Sequence, residues 1–492
     1  MTIKTRFAPS PTGYLHIGSL RTVLYNYLYA KQKGGSFMLR VEDTDRTRLV
    51  EDSIENMLEI LEKFGMTPDE GPNSDLGNGP YVQSERLDIY QKYIKELIEK
   101  EQAYYCFCTP ERLTNLREEQ QSLKIPTKYD QNCRFLTEEE TQAKLDAGEK
   151  YTVRLKVPKD INIEFIDAIK GKISVPSKDV DDQVLLKTDG FPTYHFAVVV
   201  DDYLMKVTDI IRGDEWIPST PKHVLIYRAF GWEIPRISHI PPLIGANKKK
   251  LSKRDGDVAV EQYLEKGYLI EAIINYLALL GWNPKTTEEF FTMSELIERF
   301  DLEAVHKSGA FFDVERLDFF NAHYLKNMDI LELYEKFKKY LSIYDKEFLE
   351  KISNFSPEYN KKILSELNTR IKKFDDLKGL TIYFYGDYTF PEDELILNSK
   401  MKLENFDDVE KALNITLEIL KNKSGKFEST DEMKAIFIEK IKEAEMKNGQ
   451  VLWPTRCALS GEKFSPGAFE MIYILGKEES INRIEKYLNS IK

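Results

Sequence analysis

The sequence predicts an α/β domain built on a parallel sheet, interrupted by an insertion and followed by an all-α region. Three observations carry this. Strand and helix signals alternate over the first 100 residues, the alternation breaks near residue 104 and resumes at Val184, and beyond Asp257 the pattern is nearly all helix.

Each element follows from local pattern. Residues 3–8 and 36–41 read as short strands. Between them, residues 19–31 are helical, with Leu20, Val23, Leu24, Tyr27 and Leu28 on one face and Gly34-Gly35 as the stop. Strand, helix and strand at this spacing form a βαβ unit, which implies parallel pairing. Helices over 51–64 and 85–101 follow. From residue 104 come a cysteine-bearing segment, a polar helix, the alternating Tyr151-Thr-Val-Arg-Leu-Lys-Val157 and a strand-like 172–175. The α/β pattern then returns through 194–200 and 221–230. The boundaries expected are 1–103 for the first half of the α/β domain, 104–186 for the insertion, 187–256 for the second half, 257–320 for a helical domain and 321–492 for the all-α region.

Composition narrows the class. With 492 residues, 42% apolar and 31% charged, the chain has the balance of a soluble globular protein. It holds no run of 18 apolar residues, and its N-terminus lacks the apolar stretch of a secretory signal. Four cysteines are no disulfide framework at this length, which points to the cytoplasm and to no membrane partner. The net charge of −12 argues at first against nucleic acid. Its distribution does not: residues 321–492 carry 28 basic and 30 acidic side chains, so most of the acidic excess lies in the first 320. Phosphate contact depends on local basic faces, such as 248–254.

Two segments suit phosphate chemistry. Ala8-Pro-Ser-Pro-Thr-Gly-Tyr-Leu-His-Ile-Gly-Ser19 links the first strand to the first helix, at the sheet edge where ligands bind. His16 precedes the helix N-terminus and can donate to phosphate oxygens, while Gly13 and Gly18 permit close backbone approach. Lys248-Lys-Lys-Leu-Ser-Lys-Arg-Asp-Gly256 is the densest cationic run, and positioned cations stabilise a transferring phosphate. Either segment alone is equally well read as a Pro/Gly turn or a solvated charge run; together they are far more specific.

His16-Ile17-Gly18-Ser19 and Lys250-Leu251-Ser252-Lys253-Arg254 resemble the two signatures of class I aminoacyl-tRNA synthetases. Arg6-Phe-Ala-Pro-Ser-Pro-Thr-Gly13, Arg40-Val-Glu-Asp-Thr-Asp-Arg46, Asp189-Gly-Phe-Pro-Thr-Tyr-His195, Val200-Asp-Asp202 and Ile211-Arg-Gly-Asp-Glu-Trp216 narrow the likeness to bacterial glutamyl-tRNA synthetases over almost the full chain. Ser19 for His, Leu251 for Met and Arg254 for Ser are departures that fit this branch. The resemblance implies a class I Rossmann-type parallel-sheet catalytic domain with an inserted acceptor-binding domain, a helical stem-contact domain and an all-α C-terminal anticodon-binding region.

It also implies an activity and a set of roles. Glutamate and ATP with Mg2+ give glutamyl-adenylate, and the glutamyl group passes to the terminal ribose of tRNA(Glu). His16 and Gly18 would handle phosphates and adenine; Lys253, helped by Lys250 and Ser252, would stabilise the charged phosphorus; Glu215 and Trp216 would border the nucleotide. For glutamate, Arg6 would meet the side-chain carboxylate, Arg212 the α-carboxylate and Glu42 the ammonium, with Ala8, Ser10 and Tyr194 completing the pocket. The competing reading for Arg6, Arg40 and Arg212 is internal pairing with Glu42, Asp43 or Asp214, and it is favoured for Arg40 alone. Val198 stands where some relatives carry Asn, so one pocket hydrogen bond of those relatives is in question.

Three cysteines in the insertion suggest metal before redox chemistry. Zinc-bearing relatives follow Cys-x-Cys with Cys-x-His or Tyr-x3-Cys; Phe135 rules out the first, and Cys106, Cys108, Tyr129 and Cys133 fit the second. A degenerate site with free thiols is the alternative. In the helical tail, Arg370 and Lys373, with Trp453-Pro-Thr-Arg456, are the candidates for reading unstacked anticodon bases. Absence of strand alternation there favours glutamate over glutamine enzymes, which carry β-barrels. A monomer is expected. The alternatives are an enzyme that also charges tRNA(Gln), or a non-catalytic tRNA- or nucleotide-binding relative.

Overall fold

The computed structural model describes residues 2–11, 13–44, 50, 52–251, 258–427 and 429–491. These form two compact units, Met1–Tyr263 with Ile270–Val314, and Leu264–Leu269 with Glu315–Lys492.

In the first unit, β1 (Lys4–Phe7) and β2 (Ser36–Leu39) pair in parallel, from Lys4 opposite Ser36 to Phe7 opposite Leu39. Helix α1 (Ile17–Gln32) makes the crossover. Its expected face is buried at Leu20, Val23, Leu24 and Leu28, but Arg21, Tyr25 and Asn26 are buried as well, while Tyr27 is only half-buried. The extra burial has a cause: Asn26 donates to the Ile211 carbonyl, and the Tyr25 hydroxyl donates to that of Leu280, so the helix is covered on two sides. At the stop, a Cβ on Gly35 would lie 2.1 Å from the Ile3 carbonyl oxygen, so only glycine lets the chain turn this tightly into β2.

The insertion contributes β3 (Ala103–Cys106), β4 (Thr152–Leu155), β5 (Asn162–Asp167), β6 (Gly171–Pro176) and β7 (Val184–Leu186). Strands β3, β4 and β7 form an antiparallel sheet. Strands β5 and β6 instead join β8 (Asp209–Gly213) and β9 (Arg236–Ile240) in the order β6-β5-β9-β8. The segment expected to belong wholly to the insertion thus extends the α/β sheet, with Asp167 opposite Ile237. Hydrogen bonds between Lys4 and Thr208 tie β1 to the start of β8. One core runs through both parts: Ala103, Val153 and Leu155 pack with Ile163, Phe196, Val224 and Ile237.

The segment Tyr194–Leu204, Tyr-His-Phe-Ala-Val-Val-Val-Asp-Asp-Tyr-Leu, is a helix despite its three valines. Burial of Phe196 through Asp202 outweighs their weak preference for strand. Val198 belongs to that core. Beyond Asp257 the chain is helical as expected, except that Ala310–Phe311 pairs with Leu243–Ile244 in a two-residue ladder too short to leave a periodic signal.

The second unit has no strand among its described residues. Its helices include Ile330–Tyr344, capped by Asp329, and Pro357–Leu367, capped by Ser356 with proline at the first position. Among the described residues, no helix is long and apolar enough to cross a membrane.

Candidate active site

At the ends of β1 and β8 lies a cavity of about 450 Å3 lined by Arg6, Ala8, Ser10, Glu42, Tyr194, Arg212, Glu215 and Trp216. These eight positions, drawn from four separate stretches of sequence, are brought together by the sheet. Ser19, the fourth position of the first signature, also lines it, as do Thr22 and Thr44, which were not singled out from sequence. Tyr194 and Trp216 face each other with ring centroids 4.4 Å apart.

The two signatures meet beside this cavity. His16 caps α1: its Nδ1 accepts from the Gly18 amide at 2.9 Å, which leaves the neutral ring's proton on Nε2. A Cβ at Gly18 would lie 3.1 Å from His16 Nδ1, so glycine gives the ring its place. His16 bridges Ala259, and the Ile17 amide donates to the Val258 carbonyl at 2.7 Å. On the other flank, Lys250 bridges Ile244 and the Leu251 amide donates to the Leu243 carbonyl. Lys250 and Leu251 are therefore held against residues 243–244, and Val258 and Ala259 against the first signature. Lys250 Nζ stands 3.1 Å from Glu215 Oε1, at the half-exposed mouth. Ser252 and Lys253 lie outside the described residues.

Beneath the cavity the arginines have contrasting surroundings. Arg40 is fully buried, 2.7 Å from Asp202, 3.0 Å from Glu42 and 3.8 Å from Asp201. Burial opposes its charge, but these carboxylates hold its pKa well above the ordinary value. Arg6 meets Asp202 side-on at 3.2 and 3.3 Å, so it is paired internally as well as lining the cavity. Asp201 is claimed by Arg86 at 2.8 Å and by the Tyr90 hydroxyl at 2.7 Å. Burial works against the Asp202 carboxylate, yet Arg6 and Arg40 keep its pKa below the usual range. Glu42 is different: burial outweighs Arg40 and Arg6 and pushes it up to about 7.

Arg212 makes no ion pair among the described residues. Asp214, one of the partners in the competing reading of internal pairing, bonds Lys170 at 2.9 Å instead. Arg212 donates from Nε to His239 Nε2 at 3.1 Å, and from Nη2 to Thr220 Oγ1 at 3.0 Å and His223 Nδ1 at 3.2 Å. Burial therefore lowers its pKa. Asp202, His223 and His239 were not assigned roles from sequence. The scarcity of histidine, six in the chain with three between 195 and 239, was the available signal.

A second cluster lies in the insertion. The sulfurs of Cys106, Cys108 and Cys133 lie within 4.8 Å of one another. The Tyr129 hydroxyl is 3.4 Å from both Cys106 and Cys108 Sγ, and Cys108 and Cys133 are 3.6 Å apart. Arg112 donates to Cys108 Sγ, and the Arg154 guanidinium lies 3.8 Å over the Tyr129 ring. Hydrogen bonds from Cys133 and then Tyr129 pull the Cys106 thiol down to about 4 against its burial. Three sulfurs and one phenol oxygen are a donor set that suits zinc, and the two nearby guanidiniums favour the thiolates it requires. Phe135 is exposed and stands under the Lys159 ammonium.

In the second unit, Arg370 pairs with Glu470 at 2.6 Å and Lys373 with Asp376 at 2.8 Å. Trp453 donates to the Leu395 carbonyl, and Arg456 covers its ring at 4.6 Å.

A Rossmann-type sheet bearing both signatures at its edge defines a class I synthetase, and the comparisons agree. Residues 2–319 match the family model for the catalytic domain of class I tRNA synthetases (E and Q), and residues 332–488 match that for an anticodon binding domain. The chain belongs to this family. It is 44% identical over 504 residues to the glutamate–tRNA ligase of Clostridioides difficile, covering both chains fully, and 44% identical to that of Clostridium tetani, covering 100% of this chain and 98% of the relative. Among solved structures, a glutamate tRNA ligase from Elizabethkingia meningosepticum in complex with its amino acid aligns over 100% of both chains, with a TM-score of 0.89 at 36% identity. One from Elizabethkingia anophelis aligns with a TM-score of 0.87.

Proposed function

We infer that this chain is a glutamate–tRNA ligase, which activates L-glutamate with ATP and Mg2+ and transfers it to tRNA. The observation that carries the reading is the charge beneath the cavity. With Glu42 ionised, the four buried arginines Arg6, Arg40, Arg86 and Arg212 outnumber the carboxylates Glu42, Asp201 and Asp202 by one positive charge. L-glutamate, with two carboxylates and one ammonium, supplies the missing negative charge, and a desolvated charge requires such a partner.

In this reading Arg212 takes the α-carboxylate, Arg6 the side-chain carboxylate and Glu42 the ammonium, while Ala8, Ser10 and Tyr194 close the pocket. The α-carboxylate oxygen attacks the α-phosphorus of ATP, and pyrophosphate leaves. His16 Nε2–H and the α1 N-terminus face the phosphates, with Gly18 allowing close approach. Lys253, with Lys250 and Ser252, stabilises the charge that builds on phosphorus, and Glu215 and Trp216 border the nucleotide. A terminal ribose hydroxyl of tRNA then attacks the acyl carbon, and AMP leaves. Both steps use substrate nucleophiles, so positioning and charge stabilisation suffice. Mg2+ enters with the ATP phosphates and neutralises part of their charge.

Glutamate-dependent ATP–pyrophosphate exchange, run with tRNA present, tests the reading, and no exchange from folded protein would overturn it. Lys253→Ala is expected to lower exchange by about 100-fold or more while leaving tRNA affinity nearly unchanged; an equal loss of tRNA binding would contradict its role. Charging of purified tRNA(Glu) and tRNA(Gln) defines the tRNA range.

The insertion in this reading holds one structural zinc through Cys106, Cys108, Tyr129 and Cys133, cross-linking the segment after β3. Metal analysis of protein purified without added zinc is expected to give about one zinc per chain, the stoichiometry of a closed four-ligand site; substoichiometric zinc would sink the assignment. Four cysteines without a disulfide among them fit a monomer working in the cytoplasm.

A further inference from the structure

The unpaired state of Arg212 has a structural origin in a chain of buried groups that the aminoacylation chemistry itself does not use. Asp167, at the end of β5 and 1% exposed, reaches His239 on β9: its Oδ2 is 2.6 Å from Nδ1 and 3.1 Å from the His239 amide. Its other oxygen accepts from the Ile169 and Lys170 amides at 2.9 and 2.7 Å. Four N–H donors thus converge on one carboxylate and keep it ionised. Asp167 can only accept, so His239 carries its proton on Nδ1 and offers a lone pair at Nε2. Arg212 Nε–H uses that lone pair.

The same logic runs through His223. Arg212 Nη2 can only donate, so His223 Nδ1 accepts and its proton sits on Nε2, which faces His195 Nδ1 at 3.0 Å. The Thr220 hydroxyl accepts from Arg212 Nη2 and donates to the Trp216 carbonyl at 2.9 Å. Every partner holding Arg212 is therefore neutral, and each of the two histidines has only one hydrogen-bonding sense open to it at the nitrogen that meets Arg212. Three of the five guanidinium N–H groups are used in this way, and the remaining side of the guanidinium lies toward the Tyr194 hydroxyl and the cavity.

We propose that Asp167, His239 and His223 are positioning residues that orient Arg212 through neutral histidines held in single tautomers, so that its charge is kept for the substrate carboxylate. The proposal rests on the reading of Arg212 as the α-carboxylate site. A carboxylate in direct contact would orient the guanidinium equally well but would cancel its charge, as Asp202 does for Arg40. Placing Asp167 behind His239 provides rigidity without that cancellation. Burial, and then the charge of Arg212, hold His223 well below its ordinary pKa, and burial also lowers His239 despite Asp167, so both rings are neutral where the enzyme works.

The test combines kinetics and spectroscopy. His239→Leu removes the acceptor, whereas His239→Gln returns one near the Nε2 position. His239→Leu is expected to raise the KM for glutamate about tenfold or more while the KM for ATP stays within about twofold, and His239→Gln is expected to recover most of the loss. Nitrogen NMR of wild-type enzyme labelled on histidine, assigned through single substitutions, should show a neutral Nδ1–H ring at His239 and a neutral Nε2–H ring at His223. In Asp167→Asn the His239 proton should move to Nε2. Because the NMR reads the wild type, it decides the matter even if a variant fails to fold. A mixed or reversed tautomer at His239, or an unchanged glutamate KM in His239→Leu, overturns the proposal. Arg212→Met separates the two levels. If it leaves the glutamate KM unchanged, the carboxylate assignment itself fails; if it raises that KM while His239→Leu does not, only the positioning role fails.

Discussion

Arg40 and Arg212 lie under the same cavity, both buried, and they are held in opposite ways. Arg40 has three carboxylates within 4 Å. Arg212 has two histidine nitrogens and a hydroxyl. The first arrangement is complete without a ligand and serves the fold. The second leaves a desolvated cation whose charge is answered only when an anion enters. Pairing thus separates the two extremes, while Arg6, which lines the cavity and also pairs with Asp202, stands between them.

The contrast can be broken at either end. Arg40→Ala leaves Glu42 without its ion-pair partner and Asp202 with Arg6 alone, and it should lower the unfolding free energy by about 3–5 kcal/mol, read by denaturant titration. A loss under about 1 kcal/mol would mean that Arg40 is not the structural member of the pair.

Glu42 sharpens the comparison through pH. Its pKa of about 7 lies above the ordinary 4.5 because burial outweighs the arginines. The folded form therefore favours the proton. Glu42's contribution to stability is full below about 4.5 and is lost as pH rises through about 7. Substrate capture runs the other way, since only the carboxylate attracts the ammonium. Accordingly kcat/KM for glutamate should rise about tenfold per pH unit up to about 7 and then level. Glu42→Gln should lack this step, and a wild-type profile flat through that range would remove Glu42 from the ammonium role.

The helical unit supplies a milder case. Arg370 is paired at the surface with Glu470, where such pairs contribute about 1 kcal/mol or less. Arg370→Ala should leave stability nearly unchanged and raise the KM for tRNA by about threefold to tenfold, the scale of one charged hydrogen bond. An unaltered tRNA KM would assign Arg370 to the ion pair alone. The stability effect of Arg212→Met should fall between these. Replacing an unpaired buried cation by an apolar side chain relieves its desolvation but strands His239, His223 and Thr220, so unfolding free energy should fall by no more than about 2 kcal/mol. A loss near that of Arg40→Ala would erase the distinction between the two.

Much of this was legible in the sequence, for identifiable reasons. The βαβ unit announced itself through helical period and the Gly34-Gly35 stop. The eight cavity positions sit in short motifs whose spacing is local, and the sheet edge gathers them. The surroundings of Arg212 were not legible, because Thr220 and His223 come from one helix, His239 from β9 and Asp167 from β5. Asp167 in particular lies in a segment read as insertion, and it reaches His239 only because β5 adds to the sheet beside β9. No periodicity in sequence encodes that register. The partner of Arg6 was missed for a similar reason: Asp202 closes a helix nearly 200 residues downstream.

The most direct measurement is the glutamate dependence of tRNA-stimulated ATP–pyrophosphate exchange in Arg212→Met beside the wild type. Loss of a buried charged pair with substrate should raise the KM for glutamate by about 100-fold or more, with the KM for ATP within about twofold. An unchanged glutamate KM, or equal losses for glutamate and ATP, would contradict the assignment of Arg212 as the cation kept for the amino acid.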